Sequence, residues 1–171
     1  MRIDIAPWHL RTLKAEDVDA LVKYANNADI SSTMGDTFPF PYTLIDGMSW
    51  LGTAIGRDPT CQFAVASDDE MIGCVGIHPM EDVYHLSCEI GYWVAEPFWG
   101  RGVATSALIA ATEYAFSELH MIRVQARVFS NNPASARVLE KAGFQFEGTM
   151  RKSVLKRGEV LDQFLYAKID V

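Results

Sequence analysis

The stretch Pro97-Phe98-Trp99-Gly100-Arg101-Gly102-Val103-Ala104-Thr105 constrains this chain more than any other, because two glycines in it join segments of different period. Upstream, residues 90–94 are apolar and aromatic, as in a buried strand. Downstream, Ala104, Ala107, Leu108, Ala111, Tyr114 and Ala115 recur with helical spacing over 103–119. Between them the backbone must turn sharply. Gly100 and Gly102 permit positive φ and carry no side chain to hold a ligand away from the amides. The unpaired N–H groups of a helix start, with the positive end of the helix dipole behind them, favour an anion. Residues 100–105 therefore read as a pyrophosphate cradle.

Spacing separates three kinds of phosphate site. A P-loop requires a Gly-Lys pair, and none occurs in the chain. A dinucleotide fingerprint requires a third small residue and an acid about 20 positions on at a strand end. Here Thr105 fills the third site and Glu118 falls on the helix itself, so that reading fits poorly.

The remaining chain supplies the frame. Residues 8–13 alternate as a strand, and Val18, Leu21, Val22 and Ala25 follow with helical spacing until Asn26-Asn27-Ala28-Asp29 breaks the pattern. Residues 37–43, Thr-Phe-Pro-Phe-Pro-Tyr-Thr, form an aromatic loop, since each proline pushes its predecessor out of the helical region. Thr43 with Asp46 predicts a capped helix to about residue 55, with Trp50 and Leu51 inward. Residues 61–67 and 71–78 read as a hairpin, and 83–94 as the strand that enters the cradle. Residues 122–128 alternate again. Asn132-Pro133 then caps a helix that Gly143 ends, and two strands meet at Arg157-Gly158.

With 171 residues, 49% of them hydrophobic, and no linker or repeat, residues 1–171 are expected to form one domain. A net charge of -7 argues against a nucleic-acid partner and is compatible with an amine substrate. The charged N-terminus and the lack of a membrane-length apolar run predict a cytoplasmic protein without membrane association. Cys61, Cys74 and Cys88 lack metal-ligand spacing, so reduced thiols and no metal site are expected.

The cradle resembles the acetyl-CoA signature of the GNAT superfamily of N-acetyltransferases, Arg/Gln-x-x-Gly-x-Gly/Ala, laid on Trp99, Gly102 and Ala104. Tryptophan departs from the usual first residue and, with Tyr92-Trp93-Val94, is similar to the RimJ/RimL branch, which acetylates ribosomal-protein amino termini. Asn132-Pro133-Ala134-Ser135, followed by a short helix to Gly143-Phe144, resembles the second GNAT segment. The aromatic loop is similar to one near the start of that branch.

The resemblance implies an α/β GNAT fold: a twisted, mostly antiparallel mixed sheet with one parallel, splayed strand pair and about four helices. It implies acetyl-CoA as co-substrate, its pyrophosphate on the amides of Arg101 to Thr105 and its pantetheine arm against the backbone near Trp93 and Val94. Trp99, Gly100 and Asn132 would complete that binding set. A homodimer is compatible with it.

Direct transfer requires a deprotonated amine, a polarised thioester and a partner for the thiolate. Period-2 alternation puts His85, Ser87 and Glu89 on one strand face. Glu89 falls where GNAT enzymes often carry a proton-accepting carboxylate; an ion-paired strand glutamate is the rival reading. Many GNAT enzymes use a tyrosine where this chain has Leu139, so the thiolate partner implied by the RimJ/RimL resemblance is Ser135, against the rival that Ser135 merely bonds the helix backbone. The acceptor stays open between a protein α-amine and a small amine such as a polyamine or aminoglycoside. A CoA-binding module without catalysis is the alternative of a different class.

Overall fold

The computed structural model describes residues 1–170. Eight strands form one sheet: β1 (Arg2–Ile5), β2 (Trp8–Thr12), β3 (Gln62–Ala66), β4 (Met71–Pro79), β5 (Ser87–Val94), β6 (Arg123–Phe129), β7 (Gln145–Lys156) and β8 (Glu159–Ile169), in the spatial order 1-2-3-4-5-6-8-7. Five helices flank it: α1 (Val18–Ala25), α2 (Ala28–Ser32), α3 (Leu44–Ala54), α4 (Val103–Ser117) and α5 (Pro133–Lys141). All neighbours are antiparallel except β5 and β6, as the GNAT fold requires.

Alternation along the central strands divides the core into two layers. Phe63, Val65, Val75, Ile77, Ile90 and Val94 pack with Val103, Leu108 and Ala111 of α4 and with Leu139 of α5. Ala64, Cys74 and Trp93 pack on the other face, with Ala20 and Leu21 of α1 and Leu51 of α3. Trp50 is only partly buried against this second layer, beside the fully inward Leu51. The Thr43–Asp46 capping box is present, with Asp46 Oδ2 accepting from the Thr43 amide at 2.8 Å.

The parallel pairing is brief. It joins Ser87–Glu89 to Arg123–Gln125, and beyond those residues the two strands separate, since no further β5–β6 partners follow. The expected splay is thus present, and both strands run on past it to Val94 and Phe129.

Several local expectations are corrected. The strand foreseen from residue 83 begins at Ser87, because residues 82–84 make a 3-10 turn with Asp82 at φ 57. His85 therefore lies on that turn, its Nδ1 2.9 Å from the Asp82 carbonyl oxygen, and not on a strand face with Glu89. The break at Asn26–Asp29 holds a second helix start, in which Asn27 Oδ1 accepts from the amides of Asp29 and Ile30 and opens α2. An N-terminal strand, β1, pairs with β2, and α4 stops at Ser117. The Arg157-Gly158 turn has both φ values positive, 51° and 82°, as a two-residue hairpin of the primed type requires.

Candidate active site

The splay opens into a cleft of about 590 Å³ lined by the C-terminal halves of β5 and β6, the first turn of α4, one side of α5 along its length, and α2 with the two residues after it. The ladder fixes which backbone groups reach it. The Ala95 amide donates to the Ile72 carbonyl oxygen at 2.8 Å, so alternation turns the backbone of Trp93 toward β4 and that of Ile90, Tyr92 and Val94 toward the splay. A Cβ at Gly73 would collide with the Trp93 carbonyl oxygen, consistent with that direction. Trp93 contributes to the cleft wall, while the strand edge left open beside β6 is that of Tyr92 and the Val94 amide, the Val94 carbonyl oxygen being taken by Trp99.

The cradle follows directly. Glu96–Phe98 form a 3-10 turn, Gly100 sits at φ 73 and Gly102 at φ 80, and Gly102 is the N-cap of α4 with no side chain capping it. The helix ladder starts with Ser106 donating to Gly102, which leaves the amides of Val103, Ala104 and Thr105 outside it. A Cβ on Gly100 or Gly102 would meet nothing within 4 Å apart from its chain neighbours, so the space over the turn is open. Uncapped amides at a helix start beneath an open space fit a pyrophosphate. Trp99 donates from its indole nitrogen to the Val94 carbonyl oxygen at 2.6 Å, fastening the turn to β5. Arg101 is absent from the cleft wall; its guanidinium lies 5.5 Å from the centre of the Phe98 ring.

Ser135 and Asn132 face this cradle from α5. Asn132 Oδ1 accepts from the Ser135 amide at 3.2 Å, so its carbonyl oxygen serves as the helix cap. The Ser135 hydroxyl lies 2.7 Å from the phenol oxygen of Tyr92. Burial pushes the Tyr92 phenol up to about 12, with the bond to Ser135 pulling weakly the other way. Sequence reasoning passed over Tyr92. The available signal was alternation, which puts one polar tip between the inward Ile90 and Val94.

Glu89 lies just before the strands part. Its carboxylate accepts from Arg127 Nε at 2.9 Å and from Nη2 at 2.9 Å, and Arg127 in turn lines the cleft. At the opposite end α2 and the two residues after it contribute Asp29, Ser32, Thr33 and Met34; of these the sequence pointed to Asp29 alone, as a carboxylate open to a polyamine. Asp29 is the one carboxylate among the described lining residues, against Arg127, Arg137 and Lys141. Among the described residues no cluster of three His, Cys, Asp or Glu is arranged to hold a metal, and no helix is long and apolar enough to cross a membrane.

The family described as acetyltransferase (GNAT) domain matches residues 8–145. The uncharacterized N-acetyltransferase YoaA of Bacillus subtilis (strain 168) is 37% identical over 172 residues, covering 92% of this chain and 90% of that protein. Among solved structures, RimL, a ribosomal L7/L12 alpha-N-protein acetyltransferase in complex with CoA, superposes with a TM-score of 0.88 at 22% identity, covering 99% of this chain and 98% of that one. Spermidine N-acetyltransferase from Vibrio cholerae, in complex with CoA and spermine, gives 0.80 at 23% identity over 95% of each chain. With a family match spanning most of its length, the chain belongs to the GNAT family of N-acetyltransferases.

Proposed function

We propose that this protein transfers the acetyl group of acetyl-CoA directly to the α-amine of a peptide or protein terminus, as a relative of the RimJ/RimL branch. The amides of Val103, Ala104 and Thr105 would hold the pyrophosphate, and the open edge of β5 at Tyr92 and Val94 the pantetheine arm. Support comes from the uncapped helix start, the two positive-φ glycines and the single opening between β5 and β6.

The chemistry assigned to the chain is limited to two groups. Glu89, through a water, takes the proton of the attacking amine. The nitrogen bonds to the carbonyl carbon, the carbon–sulfur bond breaks, and its electron pair stays on sulfur. Ser135 Oγ donates a hydrogen bond to that developing thiolate. Arg127 holds the Glu89 carboxylate in place through its two-pronged contact.

The observation that carries the choice of acceptor is the charge of the cleft. A polyamine with several ammonium groups needs several carboxylates, and the cleft offers Asp29 on its wall and Glu89 beside it, the latter already paired with Arg127, against Arg137 and Lys141. A single α-amine on an otherwise neutral chain suits this wall.

Acetyl-CoA turnover against N-terminal peptides, polyamines and aminoglycosides tests the reading. Peptide turnover with little on polyamines is expected. Turnover on a polyamine alone would overturn the acceptor, and CoA binding without turnover on any of the three classes would favour a CoA-binding module.

A further inference from the structure

A serine hydroxyl carries one hydrogen on a freely rotating bond, so a serine aimed at a sulfur needs something to keep that hydrogen there. Near a helix start it would otherwise turn to a backbone carbonyl. Ser135 is held at two points. Its amide donates to Asn132 Oδ1 at 3.2 Å, and its hydroxyl oxygen lies 2.7 Å from the phenol oxygen of Tyr92.

The direction of the second bond follows from the phenol. Tyr92 stays protonated at any physiological pH, because burial raises it to about 12, and it has one hydrogen to place. Both acceptors recorded for it belong to Ser135: the hydroxyl oxygen at 2.7 Å and the carbonyl oxygen at 3.4 Å. The first is the ordinary length for O–H···O and the second is beyond it. With the phenol donating, the serine oxygen is filled on that side and its own hydrogen is left for a third group. Tyr92 and Ser135 both line the cleft, so the third group comes from a bound ligand.

We infer that Tyr92 is a positioning residue for acetyl transfer, its phenol donating to Ser135 Oγ and thereby committing the serine's one hydrogen to the sulfur of the departing CoA. This rests on the assignment of Ser135 made above. The tyrosine gives up no proton. A phenol near 12 lies well above a free thiol at ~8.5, so proton transfer toward the thiolate would run uphill. The part taken elsewhere in the family by a tyrosine where this chain has Leu139 is thus divided in two, with the phenol on β5 and the hydroxyl on α5.

The test uses the whole protein and free CoA. Ionisation of the bound CoA thiol is followed by its thiolate ultraviolet absorbance across pH, in the wild type, Tyr92→Phe, Ser135→Ala and the double variant, with thermal melting and CoA affinity measured on each. Both single variants are expected to lower the ionisation constant of the bound thiol about tenfold, the scale of one charge-assisted hydrogen bond. The double variant should lower it no further, with CoA affinity at neutral pH within about twofold of wild type. A wild-type thiol titration in Tyr92→Phe, or effects of the two substitutions that add, would overturn the inference. Turnover read in parallel separates the two ideas. A coupled thiol shift in a protein that acetylates nothing sinks the enzyme reading alone, while normal turnover and a normal thiol titration in Tyr92→Phe sink the tyrosine alone.

Discussion

The indole nitrogen of Trp99 donates to the carbonyl oxygen of Val94 at 2.6 Å, tying the last residue of β5 to the turn that opens α4. Two walls of the cleft, the strand edge and the cradle, thereby keep a fixed relation to one another. Trp99 is 48% exposed, so its part in the core is small.

Trp99→Phe keeps a ring and removes the donor. One hydrogen bond of this kind is worth about 1 kcal/mol, or roughly fivefold in an equilibrium. CoA affinity measured by calorimetry should fall by up to about that factor, with melting temperature lower by no more than about 4 °C. Unaltered affinity would show that the bond does not shape the cradle.

Gly102 sits at φ 80 with open space where a Cβ would be. Gly102→Val strains the backbone by ~1–2 kcal/mol and puts a branched side chain over the first amides of α4. A folded variant with a slightly lower melting temperature and more than tenfold weaker CoA binding is expected. Full CoA binding by the folded variant would contradict the placement of the pyrophosphate.

The Glu89–Arg127 pair separates stability from chemistry. Both side chains are partly exposed, 27% and 42%, so the pair contributes no more than ~1 kcal/mol to folding. Glu89→Gln should melt within a few degrees of wild type yet lose most turnover near neutral pH. A wild-type rate and pH profile in that variant would leave Glu89 as a surface ion-pair residue.

His9 gives a pH dependence of stability. It is buried on β2, its Nδ1 has no hydrogen-bond partner, and its pKa is lowered from 6.5 by burial first and then by the charges of Arg2 and Arg11. The unfolded chain therefore binds more protons between the depressed folded value and ~6.5. Stability is fully present above ~6.5 and is lost as pH falls through the folded value. Melting temperature should drop between pH 7 and pH 5, and His9→Phe should flatten that drop. An unchanged slope in the variant would remove His9 as its source.

The turn into α4 and the strand β6 were legible because each is written locally, whereas the splay of β5 from β6 was expected only from the resemblance to the GNAT fold. Two glycines between a strand pattern and a helix pattern give the turn at Gly100 and Gly102, and alternation over 122–128 gives β6. Short elements were hidden. The five residues of α2 cannot show a helical period, and Asn27, which caps them, also looks like a break. The strand expected at residue 83 failed because an apolar run, Val83-Tyr84, can lie exposed on a turn; Val83 is 75% exposed. The Tyr92–Ser135 contact spans 43 positions of sequence and depends on how α5 settles over the splay, which no local pattern encodes.

The most direct test of acetyl transfer to a terminal amine uses one peptide that carries both a free α-amine and a lysine, incubated with acetyl-CoA and the protein and sequenced by mass spectrometry. The account predicts acetylation at the α-amine and none when that terminus is blocked beforehand. Acetyl on the lysine side chain, or turnover that survives blocking, would contradict it.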